Sequence, residues 1–473
     1  MASQPAAATS APSLVRALGV ADLTWLYLVA VVNLNVVPVV AAEGFRTIWL
    51  WVVAVLFFFV PQGIAVVELA EHLPGEGGLY LWAKETCGDF HGFLCGWCYW
   101  IVNMFFVPTL LFYLAGITAY FGGSAAALGE NRIFFFLLTI TLLWLTIYAN
   151  IHGLGVGKWI TNVGGVGALT IAGVLMLLAA IVLLTHRSAL QWSDVAPGNF
   201  STLPVATIGI VCFGLVGLEL GPLMGDELRD PRRTVSRAVA WGGVLCAIGY
   251  VGSTMSLLVA VPKSKMAVVQ GLLQAIDSMS AGFGLHWMLF PLALLLTAAI
   301  IGSTSAWVSG SARVLFVCGL DRYLPKALGN VHPRYKSPYI ALLMFGVLAS
   351  AIISMSFIGA TVKEAYVTLL DLSVALQMIS YLYVFLALFL VAYSRKPLFF
   401  RRSVLFFAAL VGGGMSLLGL GMAFVPSHQI TSVASFEWKM VVTMVFFLAL
   451  AAGLFFYYSR IRPAVANHGI ITE

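Results

Sequence analysis

The stretch Phe213-Gly-Leu-Val-Gly-Leu-Glu219 places a carboxylate inside a long apolar run, which ends in Gly225-Asp-Glu-Leu-Arg-Asp-Pro-Arg-Arg233. An ionisable group at membrane depth is costly, so it usually faces a partner, a cavity or a solute. The glycines and Pro222 favour a helix that is interrupted close to this carboxylate. The alternative is an ordinary helix end with Glu219 among the lipid headgroups, but the arginines mark that boundary only further along the chain. We therefore predict an interrupted helix with Glu219 inside the membrane.

The composition predicts a chain that crosses a membrane many times. Of the 473 residues, 61% are hydrophobic and 9% are charged, whereas soluble globular domains carry about 25% charged residues. Apolar runs of roughly 20 residues, enough to span the hydrocarbon core, recur along the whole length. We predict an all-α polytopic membrane protein with twelve transmembrane helices, near residues 20–42, 48–70, 90–121, 133–150, 158–184, 205–226, 238–261, 284–318, 338–358, 364–393, 402–424 and 437–459.

The positions of the basic residues predict the orientation. Most of the 25 lysines and arginines fall in the N-terminus and in every second loop, which places both termini in the cytoplasm of a protein of the cytoplasmic membrane. Residues 1–19 are rich in Ala, Ser and Pro and predict a disordered tail, and residues 461–473 a second short tail. Because the basic residues are spread over short loops, we expect no nucleic-acid partner.

The residues that usually carry enzyme or metal chemistry are scattered. The eight histidines show no metal-binding spacing, so no metal, cofactor or enzymatic active site is expected. Cys95-Gly-Trp-Cys98 has the spacing of a redox pair, but it lies within an apolar span, where cysteine behaves as a small hydrophobic residue. A channel would need a repeated filter or charged ring, and no such repeat is found in the sequence.

A second polar interruption occurs in the first span, at Asn33-Leu-Asn-Val-Val-Pro38. Interrupted helices at corresponding positions of two halves are typical of inverted-repeat transporters and mark their binding site. We predict a first repeat over residues 20–200 (helices 1–5), a second over 201–396 (helices 6–10), and two peripheral helices over 397–460. The alternative for Asn33 and Asn35 is hydrogen bonding between helices without a solute.

Four stretches, each weak alone, occur in one order: Glu68-Leu-Ala-Glu-His-Leu-Pro-Gly-Glu-Gly-Gly-Leu-Tyr80; Phe213–Glu219 with Asp230-Pro-Arg-Arg-Thr234; Gly302-Ser-Thr-Ser-Ala-Trp307 with Gly310-Ser-Ala-Arg313; and Asp321-Arg-Tyr-Leu-Pro325 with Lys336-Ser-Pro-Tyr339. In this order they resemble the motifs of the amino acid–polyamine–organocation superfamily, the transporters with a LeuT-type fold. The resemblance implies a 5+5 inverted repeat with broken helices 1 and 6.

The resemblance also implies the site residues. In such transporters the unwound middles of helices 1 and 6 offer backbone groups to the solute. Phe213 matches an aromatic gate, and Asn103 and Trp307 match positions that contact the solute side chain in related antiporters. Glu219 matches an acid that meets a cationic group or takes part in proton coupling. The implied substrate-binding residues are Asn33, Leu34, Asn35, Val36, Asn103, Phe213, Gly214, Gly217 and Trp307; packing within the bundle is the alternative for the aromatic ones.

Several departures from the family pattern leave the coupling ion open. The first span lacks the Gly-Ser-Gly element that usually cradles a carboxylate, and Lys158 precedes the position where some relatives replace sodium with lysine. Lys158 is therefore interpreted as interfacial, and Ser303 and Thr304 as possible sodium ligands or packing residues. A charge network that closes the cytoplasmic side is expected between two segments. It would join Arg229, Arg232 and Arg233 to Glu71, Glu76 and Glu85.

The sequence therefore favours a secondary transporter that moves amino acids or related small amines by proton symport or exchange. The alternatives are a polyamine or organic-cation carrier and, less favoured, a transporter-like sensor. The expected partners are the small-molecule substrate, a coupling proton or counter-substrate, and the lipid bilayer; both a monomer and a homodimer remain open.

Overall fold

The computed structural model describes residues 18–75, 77–120, 131–185, 188, 204–225, 228, 230–321, 323–356, 361–394, 398–426, 430 and 432–461. Over these residues the fold is helical, and the only extended pairing is a single parallel bridge between Leu18 and Leu228. The tails predicted for 1–19 and 461–473 lie outside the described residues except for Leu18, Gly19 and Ile461. The helices are α1 (Val20–Val31), α2 (Val37–Ala41), α3 (Thr47–Ala54), α4 (Val60–His72), α5 (Leu79–Cys87), α6 (Asp89–Tyr120), α7 (Arg132–Ile151), α8 (Leu154–Leu184), α9 (Ile208–Gly214), α10 (Leu220–Leu223), α11 (Pro231–Ala260), α12 (Gly271–Ala281), α13 (Leu289–Leu320), α14 (Tyr339–Ser356), α15 (Val362–Ser394), α16 (Arg402–Met422) and α17 (Val433–Ile461).

Ten helices in the described part of the chain are long and apolar enough to cross a membrane. They are Thr47–His72, in which a π-helical turn at Val55–Phe59 joins α3 to α4, and Asp89–Tyr120, Arg132–Ile151, Gly157–Leu184, Arg233–Ala260, His286–Gly319, Tyr339–Ser356, Val362–Ser394, Arg402–Met422 and Val433–Ile461. Each coincides with one of the predicted spans. The two remaining predicted spans, the first and the sixth, are represented by the shorter apolar helices Val20–Val31 and Val205–Gly214. The prediction of an all-helical, multi-pass membrane protein is therefore confirmed.

The first predicted span is divided by a non-helical segment. Helix α1 ends at Val31 and α2 begins at Val37. Pro38 lies in the first turn of α2, where the backbone N–H would have no helical partner and its absence costs nothing. In the interior of a continuous helix, the same proline would remove a hydrogen bond and clash with the preceding turn. Asn33 and Asn35 add side chains that compete with the backbone for hydrogen bonds. The interruption thus lies at the residues where the sequence placed it.

The sixth predicted span is interrupted in a similar way. Helix α9 ends at Gly214 and the short α10 begins at Leu220. Between them Gly217 has a φ of 137°, a backbone conformation that L side chains rarely adopt. Glycine at this position therefore allows the chain to leave α9 and turn into α10.

The centre of the bundle is occupied by α6. In its most apolar 18-residue stretch 94% of the residues are buried, whereas the corresponding fraction in α17 is 22%. Helix α6 is thus surrounded by protein, and α17 lies at the periphery. Close packing of α8 against α13 depends on small residues, because a Cβ on Gly164 would lie 2.8 Å from Cα of Gly302.

Two helices outside the predicted spans were not anticipated. Helix α5 lies between the second and third spans, and α12 between the seventh and eighth. Both are short, with 9 and 11 residues, and carry fewer apolar residues than a membrane span requires. Helix α12 packs against the first interruption, because a Cβ on Gly271 would lie 2.8 Å from Cβ of Pro38.

Candidate functional site

The first interruption is anchored by Asn33. Its backbone N–H donates to the hydroxyl of Tyr250 at 3.0 Å, and its Oδ1 accepts from Oγ of Ser303 at 2.6 Å. The Tyr250 hydroxyl donates to the carbonyl of Val31 at 2.5 Å, and Nε1 of Trp307 donates to the carbonyl of Ala30 at 3.2 Å. Side chains from α11 and α13 therefore satisfy the carbonyls that the end of α1 leaves without helical partners.

Asn35 and Leu34 lie at the centre of this interruption. Asn35 donates from Nδ2 to the hydroxyl of Tyr366 at 3.2 Å, and that hydroxyl donates to the Asn35 carbonyl at 3.0 Å. Within the described residues, neither the backbone N–H of Leu34 nor that of Asn35 has a hydrogen-bond partner. Two consecutive backbone donors inside the bundle can together receive an anionic group such as a carboxylate.

Glu219 is fully buried at the second interruption. Its Oε2 accepts hydrogen bonds from the Gly217 N–H at 3.0 Å, from Gln62 Nε2 at 3.4 Å and from the Tyr381 hydroxyl. Its Oε1 has no well-aligned hydrogen bond among the described residues, and the Tyr99 hydroxyl lies close to the carboxylate. One oxygen of the carboxylate is therefore held by donors from three elements, and the other is available to a proton, a water molecule or a solute.

The two interruptions contact each other. A Cβ added to Gly217 would lie 2.9 Å from a methyl of Val31, at the end of α1. A Cβ added to Gly214 would lie 3.1 Å from Trp51 and 3.4 Å from Tyr250, whose rings stack with centroids 4.5 Å apart. The backbone groups freed in the two helices thus belong to one region of the protein.

Aromatic side chains border this region. The ring of Phe106 meets Phe213 edge-on, with centroids 4.9 Å apart, and meets Trp307 edge-on at 5.6 Å. Asn103 lies one turn from Phe106 and from Tyr99 on α6, so the three share a face. Its Nδ2 donates to the carbonyl of Tyr99 at 2.8 Å, and its Oδ1 is buried without a partner among the described residues.

One small cavity adjoins the first interruption, and a larger one opens near the start of α1. A cavity of about 10 Å³, roughly the room that one water molecule needs, is lined by Val32, Asn33, Leu34, Asn35, Leu110, Leu296, Ala299, Ile300 and Ser303. A larger one of about 390 Å³ opens beside the start of α1. It reaches Ser305 and Ala306, close in sequence to the Ser303 that bonds Asn33. The larger cavity therefore approaches the site from the face of the bundle where α1 begins.

Lys158 has a partner that the sequence did not suggest. Its Nζ lies 2.7 Å from Oδ2 of Asp22, which also accepts from the Gly19 N–H, and Asn162 donates to the other oxygen. The interpretation of Lys158 as interfacial stays a prediction, and the ion pair adds that Lys158 joins the N-terminal parts of α8 and α1. The pair lines the mouth of the 390 Å³ cavity.

The predicted charge network can be assessed only in part. Arg229 and Glu76, and the side chain of Arg232, lie outside the described residues. Arg233 is exposed and lies 4.0 Å from Asp230, its neighbour in the first turn of α11. This contact is local and does not join α11 to the segment that precedes α6. Exposed pairs of this kind contribute little.

In two of the motifs, the acidic residue links helices of the bundle to each other and is not part of the candidate site. Glu68 is buried, and its two oxygens accept the backbone N–H groups of Phe399 at 3.1 Å and Phe400 at 3.0 Å. Asp321 accepts from the hydroxyl of Tyr80 at 2.5 Å and pairs with Lys84 at 2.6 Å. The first motif acid thus fixes α4 to the segment before α16, and the second fixes α13 to α5.

The predicted site residues lie in one region of the structure. The residues that form hydrogen bonds with them were not predicted from the sequence. Gln62, Tyr250, Tyr366 and Tyr381 lie on helices far away in sequence and carry no motif. The hydroxyls of Ser303 and Thr304, considered as sodium ligands, donate to Asn33 and to the Ile300 carbonyl. No group of three or more His, Cys, Asp or Glu that could hold a metal is found in the described part of the chain.

Replacing Gly217 by Ala is expected to destabilise the protein and to weaken solute binding. The new Cβ must adopt an unfavourable φ, at about 1–2 kcal/mol, and also meets Val31 at 2.9 Å. Thermal unfolding of the purified protein measures the loss. Gly88→Ala is the matched control, because Gly88 has a φ of 97° and nothing within 4 Å of its Cβ. Equal losses in the two variants would contradict the contact between the interruptions.

Comparison with known proteins identifies the family of the chain. A sequence model described as amino acid permease matches residues 18–450. The chain is 28% identical over 383 residues to an uncharacterized transporter of Legionella pneumophila, with 80% of this chain and 82% of that protein covered. It is 23% identical over 354 residues to a probable agmatine/putrescine antiporter of Lactococcus lactis, with 74% of each covered. It is 22% identical over 374 residues to a branched-chain amino acid permease of Bacillus subtilis, with 74% of this chain and 77% of that protein covered. Because the family match covers most of the chain and these relatives are transporters, the chain belongs to the amino acid permease family of membrane transporters.

Proposed function

We propose that the protein is an alternating-access secondary transporter that moves a small amino acid or a related amine by proton symport or by exchange. The observation that carries this proposal is the contact between two interrupted helices, with free backbone donors at Leu34 and Asn35 and a buried carboxylate at Glu219. Non-helical backbone at membrane depth is tolerated where it is buried in protein or lines a cavity, and paired interruptions of this kind form the solute site of many secondary transporters.

A twelve-helix, LeuT-type arrangement accounts for the positions of the interruptions. Helices α1 and α2 would form the first member of one five-helix repeat, and α9 and α10 the first member of the other. The ten long spans would supply the remaining members and two peripheral helices. In this arrangement the solute binds between the repeats, and rocking of one group of helices against the other exposes it to each side in turn.

The backbone donors support an amino acid as the substrate. An α-carboxylate placed at Leu34 and Asn35 would receive two N–H groups, which replaces the missing Gly-Ser-Gly element. Phe213, Trp307 and Asn103 then border the solute side chain. Two relatives are named for branched-chain amino acids and for agmatine and putrescine, so both amino acids and amines are candidate substrates.

Glu219 is the proposed proton carrier. Its carboxylate form is stabilised by three donors to Oε2, and Oε1 carries no well-aligned hydrogen bond among the described residues and can take up a proton. With both termini in the cytoplasm, as the basic residues predict, the 390 Å³ cavity is the cytoplasmic entrance. The ion pair between Asp22 and Lys158, at the mouth of this cavity, would then break and re-form as α1 moves.

A polyamine carrier remains the second candidate, and it would use a second acid in the site. Asp371 is buried on α15, but it shares a face with Val374 and Met378, which pack against Gly209 and Gly419. At about 100° per residue, Asp371 lies about 140° from Tyr366 and about 80° from Tyr381 around the helix axis, so it does not project in the direction of either tyrosine. This position favours an amino acid over a polyamine.

The proposal is tested with the purified full-length protein and matched ligands. Each amino acid is compared with its carboxamide and with its decarboxylated amine, with and without sodium, by thermal unfolding. Binding to the folded state raises the midpoint by mass action, so no assumption about coupling is needed. We expect stabilisation by an amino acid that its carboxamide does not reproduce. Stabilisation by amines alone would favour the polyamine carrier, and no stabilisation by any of these ligands would overturn the proposal.

A further inference from the structure

The 390 Å³ cavity near the start of α1 has a basic lining. Among the described residues that line it, Asp22 is the only acid, whereas four side chains carry a positive charge: Lys158, Arg313, Arg334 and Lys336. Asp22 already has three donors, which are the Lys158 ammonium group at 2.7 Å, the Gly19 N–H and the Asn162 amide. The described lining therefore carries more positive than negative charge.

Arg334 and Lys336 lie on a folded loop at the edge of this cavity, and both side chains are exposed. The backbone N–H groups of Arg334 and Tyr335 both lie 3.2 Å from Nδ1 of His332 and donate to it. The Tyr335 ring stacks on His332 with centroids 4.7 Å apart and lies 4.6 Å from the ring of His152, directly after α7. The backbone that carries the two cations is therefore fixed against the end of α7.

Arg313 contributes a buried cation from α13. It is 4% exposed, and its Nη1 donates to the backbone carbonyl of Ser309 at 2.7 Å and to its hydroxyl at 2.6 Å. Ser309 also lines the cavity, and Lys158 reaches it from α8. Cations from α8, from α13 and from the loop before α14 thus surround one space. Such an arrangement suits a phosphate group, which accepts several charge-assisted hydrogen bonds at once.

Exposed aromatic residues place the cavity at the level of the membrane surface. Trp159, next to Lys158, is 71% exposed, and Tyr148, one turn before His152, is 64% exposed. Exposed Trp and Tyr side chains are typical of the boundary between lipid and water. Basic pockets between transmembrane helices at this level bind anionic headgroups. The volume of about 390 Å³ also lies in the range of small-molecule sites.

We propose that this cavity binds a phosphate group, with Arg334 and Lys336 at its edge and Arg313 and Lys158 along its walls as the cationic partners. The phosphate group belongs to an anionic lipid headgroup or to a free phosphate in solution. Because it competes with Asp22 for Lys158, its binding weakens the link between α1 and α8. This inference goes beyond the proposed transport function, since it concerns a second ligand at a second place.

The test measures phosphate binding by calorimetry with the purified full-length protein, in one detergent and without any amino acid or amine. The lipid probes are short-chain phosphatidylglycerol, which is anionic, and short-chain phosphatidylcholine, which is zwitterionic. The soluble probes are glycerol phosphate and inorganic phosphate. We expect phosphatidylglycerol to bind more tightly than phosphatidylcholine, and its binding to weaken as salt is added. Failure of the soluble probes to bind would assign the lipid headgroup, whereas binding of similar strength would assign the free phosphate.

The double variant Arg334→Gln with Lys336→Gln removes two of the cations from an exposed loop. We expect it to bind the anionic probe about 30-fold more weakly than the wild type, from the usual contribution of two basic residues near a membrane surface. The control is Arg401→Gln with Arg402→Gln, because both arginines are exposed and do not line the cavity. The control should bind as tightly as the wild type.

Asp22→Asn gives a readout in the opposite direction. The asparagine oxygen can still accept from the Gly19 N–H, but Lys158 loses its ion pair. We therefore expect this variant to bind the anionic probe more tightly than the wild type. Binding that is unchanged or weaker would overturn the proposed site.

Three further results would overturn the inference. They are the absence of binding by every phosphate probe, equal binding of the anionic and the zwitterionic lipid, and equal losses in the double variant and its control. The last result would show that only the general surface charge matters. None of them involves an amino acid or an amine, so the transport proposal would stand or fall on its own ligands.

Discussion

Replacing Glu219 by Gln is expected to lower uptake driven by a pH gradient in proteoliposomes by about 10- to 100-fold, the range of typical coupling between two binding sites. The amide oxygen of the substituted side chain can still accept from the Gly217 N–H and from Tyr381. An amide cannot take up or release a proton, so only the coupling should be lost. Exchange of labelled solute at equal pH on both sides should therefore continue, and it serves as the internal measure of folding and binding.

Asp371→Asn is the matched control for Glu219→Gln. Both substitutions neutralise a buried acid within the membrane, but Asp371 lies about 80° around α15 from Tyr381, the residue that bonds Glu219. Its uptake should respond to the pH gradient as the wild type does. A Glu219→Gln protein with the uptake rate and pH profile of the wild type would rule out Glu219 as the proton carrier. Loss of binding of cationic solutes alone would instead assign Glu219 to the ammonium group of the solute.

The position of Glu219 could be predicted from the sequence, but its environment could not. The glycines and Pro222 around it, and Pro38 in the first span, act locally on the backbone, so the interruptions can be recognised in single segments. Its hydrogen-bond donors Gln62 and Tyr381 belong to other spans, 157 and 162 residues away. Nothing in those segments marks the two residues, because packing between helices alone brings them to Glu219.

The spans themselves were predictable because lipid imposes a simple rule. Backbone polar groups in hydrocarbon must be paired within the helix, so each span needs a long apolar run. Helices α5 and α12 escape this rule, since they are too short to span and gain their stability from the bundle. The same distinction, between what one segment determines and what packing between helices determines, applies to Lys158. Its membership in a span was evident, but its ion pair with Asp22 depends on how α1 and α8 are placed side by side.

Replacing Gly164 by Leu is expected to lower the free energy of unfolding by about 3 kcal/mol, at the upper end of the usual cost of overpacking. A Cβ at this position would lie 2.8 Å from Cα of Gly302, 2.9 Å from Val29 and 3.0 Å from the Ala298 carbonyl oxygen. Two of these atoms are backbone atoms of α13, so they cannot move aside as a flexible side chain would. Val29 lies in α1 directly before the first interruption, so the strain should also weaken solute binding.

Gly173→Leu provides the comparison on the same helix. Nothing lies within 4 Å of a Cβ at Gly173, which is exposed on the outer face of α8. Leucine favours a helix by roughly 0.8 kcal/mol or somewhat less relative to glycine, so this variant should be as stable as the wild type or slightly more stable. Thermal unfolding of both purified variants measures the difference, and binding measurements on each report the effect at the site. A Gly164→Leu protein as stable as Gly173→Leu would mean that α8 and α13 do not pack at Gly164 and Gly302. The close contact that fixes α1 against both helices would then have to be abandoned, and with it the placement of Asn33 beside Ser303.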